Sequence, residues 1–194
     1  MRLLGLIPVA LLLEACATSG FPSSIREDVG LVPAEKVIEV GLDASGGIAE
    51  VEFHVAASAV PEKVIAAANE LMPQGEIVGC EKEYQGATLL WEVTKKVDGK
   101  DYEVLFDAGG HAIDWEIEVD AKDVPQAVID VAKTEVSGGT VTKVEEIRDA
   151  AKALQQYHVK MTKDGIRYKI ALSLDAKLLA VYREATAEIE VPLR

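Results

Sequence analysis

The sequence is poor in cysteine, histidine and aromatic residues, and each shortage excludes a class of protein. Its 194 residues include two cysteines, three histidines and 5% aromatic side chains. Two cysteines cannot build a disulfide-rich scaffold, so stability has to come from packing. The histidines have no metal-ligand spacing, and Cys-x-x-Cys and Gly-x-Ser-x-Gly motifs are missing, so nothing in the sequence favours zinc or nucleophilic catalysis. We therefore expect no catalytic site, no metal and no cofactor.

Positive charge is also scarce. The chain has 20 Lys and Arg against 33 Asp and Glu, which gives a net charge of −13. This balance disfavours nucleic acid and anionic membrane surfaces as partners. Hydrophobic residues make up 49% of the chain and the mean hydropathy is +0.13, values that indicate a packed core rather than disorder.

The one long apolar run lies at the N-terminus. Residues 3–13 follow the single basic residue Arg2, and they are too few to span a bilayer comfortably as a helix. The pattern is typical of the apolar part of an export signal, which we place at residues 1–16. Residues 17–36 are rich in Ser, Pro and Gly and are expected to form a flexible tether. The chain is therefore predicted to be exported to the periplasm.

The end of this signal resembles the lipobox of bacterial lipoproteins. Leu13, Ala15 and Cys16 match that pattern, whereas Glu14 departs from it. We favour lipidation at Cys16, with ordinary secretory cleavage and an uncleaved anchor as alternatives. Lipidation would imply a lipoprotein of the outer membrane that contacts the membrane only through its N-terminal anchor.

An internal repeat organises the rest of the chain. Residues 60–65 (VPEKVI) recur as 124–129 (VPQAVI), an offset of 64 residues. Two residues of slippage later, the Asp-Gly pair at 98–99 recurs at 164–165. The predicted divisions are lead-in strands forming a partial repeat at 37–59, a first copy at 60–123 and a second copy at 124–194.

Periodicity assigns the same elements to both copies. Apolar residues recur at helical spacing after Pro61 and Pro125, whereas residues 113–119 alternate as in a half-buried strand. The predicted fold class is α+β, a tandem repeat of a short helix packed on a three- or four-stranded antiparallel sheet. Residues 144–156 contain strong helix formers, but the repeat register predicts strand, turn and strand there, with a short helix as the alternative.

Short motifs in the first copy resemble the PepSY domain. They are residues 90–93 (LWEV), 98–100 (DGK), 102–104 (YEV) and 106–110 (FDAGG). More particularly, they resemble the tandem PepSY-like form that is similar to β-lactamase-inhibitor protein (BLIP-like), and the second copy keeps the spacing but loses several of the motif residues. The resemblance implies a helix-plus-antiparallel-sheet fold, an envelope location and a binding or inhibitory role rather than turnover.

Acidic residues alternate along the strands that end each unit. Asp114, Glu116, Glu118 and Asp120 fall on one strand face, about 7 Å apart. They are candidate cation ligands, although a solvated strand face that opposes aggregation is the favoured interpretation.

Two tyrosines are the candidate anchors for a partner. Tyr84 and Tyr182 are expected to be exposed, whereas the other aromatic residues and Cys80 are expected in the core. The leading hypothesis is a non-enzymatic exported binding or inhibitor-like protein that docks an unknown protein or peptide partner of the envelope on its sheet surface. The alternatives are a cation or small-ligand sensor that uses the acidic strand faces, and a structural envelope lipoprotein.

Overall fold

The computed structural model describes residues 38–186 and Asp28, and within them it has ten strands and two α-helices. The strands are β1 (Ile38–Leu42), β2 (Ile48–His54), β3 (Glu76–Gln85), β4 (Thr88–Val97), β5 (Lys100–Phe106), β6 (Ala112–Val119), β7 (Thr140–Asp149), β8 (Leu154–Lys163), β9 (Ile166–Ser173) and β10 (Leu178–Arg183). The helices are α1 (Glu62–Leu71) and α2 (Gln126–Glu135). In this part of the chain no helix is long and apolar enough to cross a bilayer. The predicted export signal, Cys16 and, apart from Asp28, the tether lie outside it.

The strand order corrects the predicted fold class. All ten strands join in sequence order into one curled antiparallel sheet that carries two short helices, rather than forming helix-on-sheet units in tandem. The two copies merge because β6 pairs with β7, from Asp114 opposite Asp149 to Val119 opposite Val144. Separate units would leave the N–H and C=O groups of these two strands at open edges, whereas pairing satisfies them.

Both helices cover the same face of the sheet. Helix α1 packs through Val64 and Ala68 in one core cluster, and α2 packs through Val128 and Ala132 in another. On β6, Trp115 belongs to the first cluster and Val119, on the same side of the strand, packs against the second, so the two clusters share one face. The main strand residues of these clusters are Cys80, Val93, Val104, Phe106, Trp115, Val144, Val159, Met161, Ile170 and Leu172. Neither α1 nor α2 packs on the other face of the sheet.

The local predictions for turns and strands are confirmed. Asp98 and Gly99 have φ of +51° and +82°, as the two central residues of a tight hairpin turn require. Residues 144–156 form the end of β7, a turn and the start of β8, so the helical alternative is wrong. Val144 and Tyr157 are buried against α2, and this packing outweighs the helix propensity of the segment. Cys80 is a buried free thiol, as expected.

Candidate functional site

The helix-free face of the sheet is lined with polar side chains. Strand alternation explains this in β4, where Trp91 and Val93 pack in the core and Glu92 between them lies on the opposite face. In β6, Trp115 is buried in the core and Glu116 lies on the opposite face. Each of these strands therefore has an apolar side under the helices and an acidic side away from them.

Corresponding positions of the repeat place one glutamate on each of the first seven strands. These residues, the glutamate belt, are Glu39, Glu52, Glu81, Glu92, Glu103, Glu116 and Glu145. Six of them form three directly opposed cross-strand pairs, Glu39 with Glu52, Glu81 with Glu92, and Glu103 with Glu116. Like charges that face each other across strands destabilise a sheet, so folding stability does not favour such a row.

The belt positions of the last three strands break the pattern. They hold His158 on β8, Lys169 on β9 and Tyr182 on β10, with His158 opposite Glu145 and Lys169 opposite Tyr182. The equivalent positions thus hold glutamates from β1 to β7, and a histidine, a lysine and a tyrosine on β8, β9 and β10.

The sheet curls around the belt face. A cavity of about 210 Å³ is lined by side chains from eight strands, β2 to β9. In a flat sheet the outermost of eight strands would lie roughly 34 Å apart, too far to line one such cavity. The belt face is therefore the concave side. The carboxyls that line the cavity include Glu52, Glu83, Glu92, Glu103 and Glu116.

Burial and mutual repulsion raise the pKa values of the belt carboxyls. Desolvation, followed by repulsion from neighbouring carboxylates, raises the pKa of Glu52 to about 9. Desolvation and the charge of Glu145 raise the pKa of Glu116 to about 8, and burial holds the pKa of Glu92 well above its ordinary value. The Glu116 side chain is still 27% exposed. Glu116 is therefore reachable from solvent, and at neutral pH both it and Glu52 are largely protonated.

Lysines neutralise one end of the belt. Glu145 is fully buried, and its Oε1 lies 2.8 Å from the Nζ atoms of both Lys143 and Lys160. Lys143 also lies 3.0 Å from Oε1 of Glu103. Burial opposes the ionisation of Glu145, but Lys160 and Lys143 outweigh it and lower the pKa of this carboxyl. Glu145 is therefore charged at neutral pH, unlike Glu116 on the neighbouring strand.

The corresponding glutamate of the first copy has a weaker set of partners. Glu81 pairs with Nδ1 of His54 at 2.7 Å. Gly79 and Thr94 occupy the positions that hold Lys143 and Lys160 in the second copy. The concave face is therefore predominantly acidic over β1 to β6, whereas over β7 to β9 it carries Lys143, Lys160 and Lys169 against the single charge of Glu145.

His158 contributes a buried polar atom to the cavity. The residue is 8% exposed, and its Nε2 lies 3.2 Å from the amide nitrogen of Gln156. Because an amide nitrogen only donates, Nε2 accepts and the neutral ring carries its proton on Nδ1. Burial and the charge of Lys169 lower the pKa of His158 to about 4, so the ring is neutral at pH 7. Nδ1 has no hydrogen-bond partner among the described residues, and Oε1 of Glu116 is 3.7 Å away.

Among the described residues, two groups of side chains on this face are close enough to share a metal ion. Ligand atoms of Glu50, Glu52 and Glu83 lie within 4.8 Å of one another, and so do those of Glu116, Glu145 and His158. The first group offers only carboxylate oxygens, which suit a hard cation such as Ca²⁺. In the second group the two lysines already neutralise Glu145.

The structure divides the four acidic residues that the sequence predicted as candidate cation ligands. Asp114 and Glu116 line the concave cavity, and burial raises the pKa of Asp114 to about 6. Glu118 instead accepts a hydrogen bond from the backbone N–H of Asp101 at 3.2 Å, and Asp120 pairs with Lys100 at 3.2 Å. Only the first two therefore belong to the cavity, and cation binding by any of them stays a prediction.

The prediction that Tyr84 is an exposed anchor is wrong. Tyr84 is 2% exposed, its hydroxyl donates to Oδ2 of Asp28 at 2.8 Å, and its ring packs edge-on against Phe53. Its position on β3, four residues after the core residue Cys80, places it on the apolar side of the sheet. Tyr182 is 48% exposed, as expected, and the Nζ of Lys169 lies 5.1 Å from its ring centroid. Partner binding by Tyr182 stays a prediction.

Most of the belt was not predicted from the sequence. Glu81 and Glu145 are separated by the 64-residue offset, and Glu92 and His158 by 66 residues. The repeat therefore contained the signal, because residues at equivalent positions of a regular sheet share a face. Of the belt, only Glu116 was among the predicted cation ligands, on the strand that ends the first copy.

Comparisons with known proteins show a shared fold but no family. No family model matches the chain, and no curated protein matches it. A crystal structure of a DUF2874 family protein from Bacteroides uniformis ATCC 8492 has a TM-score of 0.50 and 20% identity, covering 63% of this chain and 88% of that one. A protein from Bacteroides eggerthii DSM 20697, provisionally described as periplasmic, has a TM-score of 0.51 and 18% identity, covering 64% and 88%. At these identities the likeness shows the fold alone.

A third solved structure is slightly less similar. It is a BLIP-like protein from Bacteroides fragilis NCTC 9343, with a TM-score of 0.47 and 19% identity, covering 66% of this chain and 88% of that one. The descriptions of these three proteins name no enzymatic activity. The PepSY part of the resemblance stays an expectation.

Proposed function

We propose that this chain is a non-enzymatic, exported binding protein of the bacterial envelope that holds a polypeptide partner on its concave face. The observation that carries the proposal is the glutamate belt, which lines a curved surface instead of a flat solvated one. A cationic group that approaches this row of carboxyls favours their ionised form and is attracted by it, so the concave face selects and orients a partner of positive charge. The partner surface is therefore basic.

The location rests on two further points. The N-terminal sequence has the pattern of an export signal, and one protein of similar fold is provisionally described as periplasmic. We keep lipidation at Cys16 as part of the proposal, since an anchored protein would present its concave face to soluble proteins of the periplasm. Mass spectrometry of the mature N-terminus tests the anchor independently of binding.

Capture from envelope extract tests the binding function. The bait is the mature protein, compared with a concave variant (Glu92→Gln, Glu103→Gln and Glu116→Gln) and a charge-matched variant of the helix face (Glu62→Gln, Glu70→Gln and Glu135→Gln). We expect a stoichiometric basic protein to bind the wild type and the helix-face variant, to survive chelation, and to be lost from the concave variant. Equal capture by all three baits, or no specific capture, would contradict the proposal.

A divalent-cation sensor is the second candidate function. The close approach of the Glu50, Glu52 and Glu83 carboxylates favours it. Calorimetric titration with CaCl₂ tests it directly, with the Glu52→Gln and Glu83→Gln double variant as the comparison. Heat that saturates in the wild type and disappears in the variant would support the sensor, whereas no heat at millimolar Ca²⁺ would exclude it.

A further inference from the structure

We infer that the middle of the concave face is a pocket for one arginine or lysine side chain of the partner, whose main-chain carbonyl accepts a hydrogen bond from Nδ1 of His158. The inference rests on the proposed function and names its anchor. Two independent observations carry it: the carboxyls of Glu92, Glu103 and Glu116 in one cavity, and the His158 Nδ1 with no hydrogen-bond partner among the described residues.

The carboxyl groups suit an extended cation with several donors. Glu92, Glu103 and Glu116 stand on three successive strands, and within the described residues these three do not form one of the tight groups that could share a single ion. A guanidinium group has five N–H donors in a planar fork, and an ammonium group has three. Either group can bond to carboxylates on more than one strand, and the arginine fork matches a carboxylate better. A cavity of about 210 Å³ can hold several waters or one long side chain.

His158 supplies the second contact, a hydrogen bond to the main chain of the ligand. The ring is 8% exposed and neutral, and Gln156 fixes its Nε2 as an acceptor. Its buried Nδ1–H therefore needs an acceptor, which a peptide carbonyl beside the bound side chain would provide. Lys169 lines the same cavity, and its ammonium group, like the Nδ1–H of His158, favours an electron-rich acceptor on the ligand. A simple metal ion satisfies the carboxylates but cannot accept the Nδ1–H.

Proton release accompanies this binding. Without a ligand, desolvation and repulsion keep the pKa of Glu116 at about 8. A cationic side chain within contact distance favours the ionised carboxylate and lowers this pKa. Binding at pH 7 therefore releases protons, and the number released falls as the pH is raised above 8.

Peptide titration tests the pocket. The probes are three blocked heptapeptides that are identical except for the central residue, which is arginine, lysine or citrulline, the uncharged analogue of arginine. Each is titrated into the mature protein at pH 7 in two buffers of different ionisation enthalpy. We expect arginine to bind at least tenfold more tightly than citrulline, with lysine between them, and we expect proton release with the charged peptides only. Equal affinity for arginine and citrulline would overturn the inference.

Two protein variants separate the two halves of the pocket, with Glu70→Gln on the exposed side of α1 as the control. Glu116→Gln should lower the affinity for the arginine peptide at least fivefold and reduce proton release, while the affinity for the citrulline peptide stays unchanged. His158→Leu should lower the affinity for both peptides by a similar factor. If this variant is unstable, the comparison of the arginine and citrulline peptides on the wild-type protein still decides. If a peptide with several arginines binds the concave face but the central citrulline and Glu116→Gln change nothing, the pocket is refuted and the proposed function stands. If that peptide fails to bind at all, the proposed function fails as well.

Discussion

At the scale of single residues, Glu145 and its counterpart in the first copy have different partners. It is fully buried between two ammonium groups at 2.8 Å. Its counterpart Glu81 pairs with His54 instead. A buried charge that keeps its partners can be nearly neutral for stability, but the loss of one partner leaves the others uncompensated.

We therefore predict that Glu145→Gln lowers the free energy of unfolding by about 3 kcal/mol, the low end for breaking a buried ion pair. Urea denaturation at pH 7 measures this change, with the exposed Glu76→Gln on β3 as the control. Removing one of the lysines as well should restore part of the loss, so Glu145→Gln and Lys160→Met together should cost less than their sum. Strict additivity would mean that the two side chains do not interact.

At the scale of secondary-structure elements, the C-terminal end of α1 depends on a lysine from the sheet. Lys95 on β4 is 3% exposed, and its Nζ donates to the backbone carbonyl of Met72 at 2.7 Å and to Oδ1 of Asn69 at 3.0 Å. The carbonyls at a helix C-terminus have no partner within the helix, so this bond closes the end of α1. The second copy has Met161, 66 residues later, at the same position.

The variant Lys95→Met imitates the second copy and tests the cap. We expect a loss of about 1 kcal/mol in unfolding free energy, since the lost charge-assisted bonds exceed the gain from burying an apolar side chain. The adjacent Lys96→Met, whose side chain is about half exposed, should change stability by less than about 0.5 kcal/mol. Thermal denaturation of the two variants gives the comparison. Equal melting temperatures would show that the Lys95 bonds do not stabilise α1.

The elements themselves were largely predictable, but their assembly was not. Alternation and the Asp98-Gly99 turn identified the strands of the first hairpin, because both signals are local. The merger of the copies depends on the pairing of β6 with β7, where Val119 meets Val144. No local sequence pattern specifies which strand edges will pair, so two separate units were predicted. The exposure predicted for Tyr84 was wrong partly for a similar reason, since its hydrogen-bond partner Asp28 lies 56 residues away in the chain.

At the scale of the whole molecule, the concave face makes stability depend on pH. Glu52, Glu83 and Glu116 have pKa values raised by burial to about 9, 7 and 8. Between pH 4.5 and these values the folded chain binds more protons than the unfolded chain, so stability falls as the pH rises. Glu145 acts oppositely, because its lowered pKa adds stability above pH 4.5 that is lost only on further acidification.

His158, whose pKa is lowered to about 4, also acts oppositely up to about pH 6.5. The carboxyls with raised pKa values outnumber these two groups, so we predict a lower free energy of unfolding at pH 8 than at pH 5.5. The slope for one carboxyl is at most about 1.4 kcal/mol per pH unit, and solvent screening reduces it. Chemical denaturation across this range measures the slope, and the concave variant with Glu92→Gln, Glu103→Gln and Glu116→Gln should flatten it. The helix-face variant should keep the wild-type slope. Stability that rises from pH 5.5 to pH 8 would contradict the raised pKa values.

The central claim is that the concave belt face, rather than the helix face or a sheet edge, receives the ligand. Its most direct test is an NMR titration of ¹⁵N-labelled mature protein with the arginine-centred peptide. The account predicts that the largest shift changes fall on β4, β5, β6 and β8, around Glu92, Glu103, Glu116 and His158, and that they vanish in the concave variant. Shift changes concentrated on α1, α2 or the edge strand β10, and retained in that variant, would contradict it.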